Sequence, residues 1–140
     1  MKNGFSIIEV MLALCILMIC LVALSRMHLV SIQAKVQGER ITRATLLGGT
    51  MLGKFRNKEI TIEELNKGWH HDPGNPNREN NADYYRFWSV RDTSEGKDVR
   101  MFVAWTERGR PDVKNFSSQE ELESYPCPRI DLRETFLRQR

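Results

Sequence analysis

Residues 5–24 read FSIIEVMLALCILMICLVAL, and only Ser6 and Glu9 among these twenty are plainly polar. Wound as an α-helix the run spans about 30 Å, the thickness of a bilayer's hydrocarbon core. A carboxylate well inside such a helix costs about 3 kcal/mol even on lenient insertion scales. Glu9 therefore needs a charged partner or a route to the headgroups. A side chain near a helix end can reach back to the interface by snorkelling. That role leaves the neighbouring Gly4, Phe5 and Ser6 unexplained.

The other reactive side chains are scattered. His28 lies just beyond the apolar run, and His70 and His71 are adjacent. Nucleophilic catalysis needs a serine or cysteine supported by a base and an orienting group. No G-x-S-x-G, P-loop or H-E-x-x-H signature occurs. The chain is expected to be no enzyme. The stretch HHDPGNPNRENNAD at 70–83 is rich in turn residues. Asp72, Asn75, Asn77, Asn80 and Asp83 are oxygen donors of the kind calcium accepts, but not in EF-hand spacing. His70 and His71 could meet a transition metal; an exposed loop pair is the simpler reading. Cys15 and Cys20 fall in the apolar run, so Cys127 has no partner for a disulfide within the polar part. No metal or other cofactor is expected.

Charge and composition divide the chain of 140 residues into an apolar head and a polar remainder, with a formal net charge of +3. The Lys and Arg residues are interleaved with Asp and Glu, which leaves no basic block suited to nucleic acid. The apolar run is too long for a cleaved secretory signal, and no A-x-A-like site follows it. A single membrane anchor fits its length. From Ser25 onward Met27, Val30, Ala34, Gly38, Ile41, Ala44, Gly48, Leu52 and Phe55 recur at steps of three or four. Lys35, Glu39, Arg40 and Arg43 occupy the opposite surface, making an amphipathic continuation. One helix from Phe5 to Phe55 would be about 75 Å long. Gly38, Gly48, Gly49 and Gly53 weaken it; close packing on a sheet is the favoured explanation, local melting the other.

Beyond the helix, Thr61 and Glu64 have capping-box spacing for a short helix, as do Ser118 and Glu121 for one over Gln119–Ser124. The runs YYRFWSVR (84–91) and VRMFVAWT (99–106) predict a hairpin turning at 94–97. Val99, Met101, Val103 and Trp105 share the face expected to meet the long helix. Trp69, Trp88 and Trp105 read as core residues. Residues 107–112 read as a turn, and Pro126-Cys127-Pro128 stops the second short helix. A third strand is either missing or centred on 130–132. Residues 129–140 otherwise read as a short charged tail whose Phe136 and Leu137 could dock on a partner. The fold class is α+β: a long N-terminal helix packed on a small antiparallel sheet.

Gly4-Phe5-Ser6-Ile7-Ile8-Glu9 resembles the processing site of type IV prepilins and of the pseudopilins of type II secretion. The resemblance implies a leader at 1–4, cleavage between Gly4 and Phe5, and N-methylation of Phe5. It implies a transmembrane half of the helix at 5–25, an amphipathic half at 26–57 and a globular domain at 58–140. Glu9 occupies the family's glutamate position, where the amine of a neighbour's Phe5 would stabilise the carboxylate and set the register between subunits. Arg43-Ala44-Thr45-Leu46-Leu47, with Gly53-Lys54-Phe55-Arg56-Asn57, is similar to I-type minor pseudopilins and V-type minor pilins. Gly48-Gly49 departs from that pattern, and no proline precedes Pro73, unlike many major pilins.

The implied function is a minor pseudopilin of type II secretion that initiates or caps a helical filament. The alternatives are a minor pilin of a type IV pilus and, from another class, a plain membrane-anchored periplasmic binding domain with an uncut N-terminus. The implied partners are major and minor pilin-like subunits, the prepilin peptidase, the inner-membrane assembly platform and the lipid bilayer. The implied location is the bacterial inner membrane, crossed once, with the C-terminal domain in the periplasm.

Overall fold

A computed structural model describes residues 6–57, 66–79, 82–107 and 112–137. The chain forms two compact units, Met1–Arg40 and Ile41–Arg140. The described part of the first is helical from Ile7 onward and has no buried residue. It belongs to α1 (Ile7–Arg56), an N-terminal helix long and apolar enough to cross a membrane. Apolar side chains lie all round it, as lipid requires and water does not. At the end of the apolar run the Ser25 hydroxyl donates to the Leu21 carbonyl at 2.8 Å, so its polar group is satisfied within the helix.

In the second unit α1 becomes one-sided. Ala44, Gly48, Met51, Leu52 and Phe55 are buried at helical spacing, and they pack on an antiparallel sheet. Its strands are β1 (Gly68–His71), β2 (Asn77–Glu79), β3 (Ala82–Asp92), β4 (Gly96–Trp105) and β5 (Arg129–Leu137). They run in the order β1-β3-β4-β5, with β2 also on β3. The fold is thus α+β, a long N-terminal helix on a small antiparallel sheet. Strand alternation divides the side chains between two faces. Val99, Met101, Val103 and Trp105 of β4 meet α1 as expected, joined by Tyr84, Trp88 and Val90 of β3. Phe55 sits edge-on to Trp88 and Phe136, with ring centroids 5.8 and 6.5 Å away.

The other face carries a second core. Phe87, Phe102 and Ala104 are covered by Val113, Phe116, Leu122 and Cys127, with Trp69 partly buried beside them. Trp69 stacks on Phe87 at 5.5 Å and donates its indole N–H to the Phe116 carbonyl at 2.7 Å. Helix α2 (Gln119–Ser124) is the capped helix read from the sequence: Ser118 Oγ accepts the Glu121 N–H at 3.2 Å. Cys127 lies buried in this core and is not in a disulfide.

Several expectations need correction. The hairpin is present, but its strands are longer and its turn tighter, closed by reciprocal backbone bonds between Thr93 and Gly96. The 70–83 segment is not all loop. His70 and His71 belong to β1, and Asn77 begins β2, both paired with β3. Between them 72–76 bulge outward, and Asn75 repairs the ladder. Its side-chain oxygen accepts the Arg86 N–H at 2.8 Å, and its amide donates to the Arg86 carbonyl at 2.9 Å. A side-chain amide here stands in for the peptide group a regular strand would offer. Residues 129–137 are not a loose tail. They form β5, nine residues in register with β4, with Phe136 turned onto the core and Leu137 exposed.

The glycine expectation holds at one position. A Cβ on Gly48 would lie 2.6 Å from Leu132 Cδ1 and 3.2 Å from Val103 Cγ2, whereas one on Gly38, Gly49 or Gly53 would meet nothing within 4 Å. The short helix expected after Thr61 and most of the turn at 107–112 lie outside the described residues.

Past the second core, the β4–β5 end of that face is a charged lattice. Arg100 Nε donates to Asp131 at 2.8 Å, Arg133 Nε to Asp98 at 3.0 Å. Asp98 is buried, and the hydrogen bonds from Arg133 hold its carboxyl below the usual carboxylate range.

Two predictions follow from this packing. Gly48→Val should destabilise the full-length protein by about 1–3 kcal/mol through overpacking. Gly49→Ala, on the open side of the same turn, should raise stability by up to about 1 kcal/mol. Urea unfolding in detergent measures both; equal effects would contradict the close approach at Gly48. Asp98 contributes stability above the ordinary carboxylate pKa and loses it as pH falls through its lowered native value. Asp98→Asn should therefore be less stable than the wild type at neutral pH, with the gap closing as the pH drops. A gap independent of pH would remove the charge from that account.

Candidate functional site

The residues singled out for chemistry lie at the head of α1. Gly4 and Phe5 fall outside the described residues. Ser6 is the last residue before the helix, and Glu9 sits in the first turn with Ile7 and Ile8 before it. The Ser6 carbonyl accepts the Glu9 N–H at 2.9 Å and the Val10 N–H at 3.3 Å. Ile7, Ile8, Val10 and Met11 are exposed around Glu9, so the carboxylate stands on a wholly apolar helix surface. The next described ionisable charge along the chain is Arg26, 17 positions on, or about 25 Å along a helix. Whatever neutralises Glu9 is therefore not a described cation of its own helix.

Glu9 at a helix start is electrostatically favoured. The first turn of a helix leaves backbone N–H groups unpaired and carries the positive end of the macrodipole. In lipid those N–H groups have no water to turn to, so a side chain that can accept from them gains weight.

The other candidates are occupied by structural work. The Asp72 carboxylate is ion-paired with Arg86 and accepts the Gly74 N–H at 2.8 Å. Asp83 pairs with Arg78 at 2.8 Å, and Asn75 is spent on Arg86. Asn77 is in β2, and Asn80 lies outside the described residues. His70 stacks on Trp88 with centroids 5.9 Å apart, its Nε2 2.7 Å from the Asn66 carbonyl. His71 points to the opposite face by strand alternation, so the structure does not bring the two rings together. Among the described residues no cluster of three or more His, Cys, Asp or Glu could hold a metal.

One signal in the sequence escaped the reading above. Ser6-Ile7-Ile8-Glu9 and Ser118-Gln119-Glu120-Glu121 share the spacing S-x-x-E, and each stands at the start of a described helix. The second was recognisable because polar residues surround it. In the first, apolar residues surround the pair.

Comparisons with family models, curated proteins and solved structures give no match for this chain.

Proposed function

We propose that the chain is a minor pilin-like subunit, processed at its N-terminus and added to a helical filament, and most specifically a minor pseudopilin of type II secretion. The observation that carries this reading is the order Gly4-Phe5-Ser6-Ile7-Ile8-Glu9 directly at the head of α1. The α+β layout supports it, since a helix that is apolar all round and then one-sided suits a subunit held first in lipid and then in an assembly. The chain would cross the inner membrane once, with the sheet domain in the periplasm. It is the substrate of a peptidase rather than a catalyst. Water is added across the Gly4–Phe5 peptide bond, leaving a carboxylate on the leader and an amine on Phe5, which then takes a methyl group from a sulfonium methyl donor and releases a proton.

Glu9 follows from that chemistry. The new amine of a neighbouring subunit supplies the positive charge that α1 lacks near Glu9. An ion pair formed away from water contributes only if the two groups meet in good geometry, so only a subunit at the right axial offset is accepted. Partners are therefore other pilin-like subunits, major and minor, with the peptidase and the inner-membrane assembly platform acting before them.

Intact mass tests the first step. The mature protein should lack residues 1–4 and carry one added methyl group, and Gly4→Val should keep its leader. An uncut, unmethylated wild type would favour a plain membrane-anchored binding domain. For the second step, Glu9→Gln should enter the membrane and be shortened like the wild type. Its co-purification with partner pilins should fall about tenfold, the loss expected when an interaction of about 1.4 kcal/mol disappears. Glu9→Asp should fall part of the way. Recovery of pseudopilus rather than pilus subunits in that fraction decides between the two machines.

A further inference from the structure

We infer that the outer edge of β5 is a docking site for an extended segment of another protein, added antiparallel as a further strand with an acid opposite Arg133 and a base opposite Asp131. This goes beyond the processing reading above and does not depend on it.

Three observations carry it. First, β5 pairs with β4 along its inner side from Arg129 to Leu137, without glycine or proline. Among the described residues no strand lies beyond it. Its outward peptide groups are a template for one more strand. Second, the flank beside that edge is unfinished. Ile130, Leu132 and Phe136 pack on the α1-facing core but are only half-buried. A strand laid beside β5 would set its own alternate side chains next to these three and extend the core by one row. Third, the opposite face keeps charge to spare. Arg133 holds Asp98 with Nε and Nη2, and Asp131 Oδ2 accepts from Arg100. Arg133 Nη1 and Asp131 Oδ1 have no partner among the described residues. Both side chains reach solvent, Arg133 with 70% of its surface and Asp131 with 40%.

These charges choose the occupant. They stand two residues apart on one face, so they favour an antiparallel strand reading acid, apolar, base and repel one reading base, apolar, acid. The apolar residue falls opposite Leu132. β5 itself reads Asp131-Leu132-Arg133, and a second copy could pair with it about Leu132. That two-fold pairing turns the second copy end for end, its α1 included. Two chains entering one membrane in the same sense cannot meet that way. The occupant is therefore a different polypeptide. The break between β1 and β2 at 72–76 keeps the opposite edge from competing for it.

The probe is the dye-labelled heptapeptide Val-Thr-Thr-Glu-Val-Lys-Val, titrated into the full-length protein in detergent. Its control, Val-Thr-Thr-Lys-Val-Glu-Val, has the same composition with the two charges exchanged. Fluorescence anisotropy should show the first binding about fivefold tighter than the second, the factor for two reversed cross-strand charge pairs. In about 1 M salt the two should bind alike. With the first peptide bound, amide exchange should slow at alternate residues of β5 and stay unchanged in β1 and β2. Equal affinities at low salt, tighter binding of the control, or no binding of either peptide at about 1 mM overturns the inference. Protection of β1 and β2 instead of β5 does the same. So does protection of β5 that rises with protein concentration in the absence of peptide, which would make a second copy the occupant.

Discussion

The sheet domain depends on one contact, the line of Ala44, Gly48, Met51, Leu52 and Phe55 against β4 and its neighbours. Gly48 lets the helix backbone approach Val103 and Leu132 more closely than any side chain would allow. That approach brings Phe55 into edge contact with Trp88 and Phe136, tying β3 and β5 to the same helix. The sheet cannot shift by one residue without turning Val99, Met101, Val103 and Trp105 away from α1. Register, helix position and the division between the two cores are therefore one decision.

Much of this was legible in the sequence because it is written locally. Period-two alternation in 99–106 marks the face of β4, and S-x-x-E marks the start of α2. What was not legible depended on partners distant in sequence. β1 and β2 are short, polar and broken by Asp72-Pro73-Gly74-Asn75-Pro76, so nothing within them specifies a strand. They exist because β3 offers an unpaired edge and because Asn75 bridges the gap with its side chain. β5 did carry a signal, Ile130, Leu132 and Phe136 at alternate positions, but the charges between them resembled a tail. Those charges are spent on Arg100 and Asp98 of β4, and on Arg56 at the end of α1.

Glu9 shows the limit of reading charge alone. A carboxylate on an apolar helix invites a search for a cation, and the described helix supplies none near it. Its place in the first turn adds the positive end of the helix dipole, which favours a carboxylate without supplying a counter-ion.

The two rims of the sheet are guarded by different physics. On the β1–β2 side the bulge at 72–76 interrupts the ladder, so no flat row of peptide groups is offered to a stranger. Among the described residues no strand lies beyond β5, and it runs unbroken with neither glycine nor proline. What discourages a stray strand there is Arg129, Asp131, Arg133 and Glu134, not shape. Shape is indifferent to ionic strength, whereas charge is screened within about 3 Å at 1 M salt. Concentrated salt would thus strip protection from one side of the molecule and leave the other untouched, giving the sheet a single direction in which unwanted growth could start.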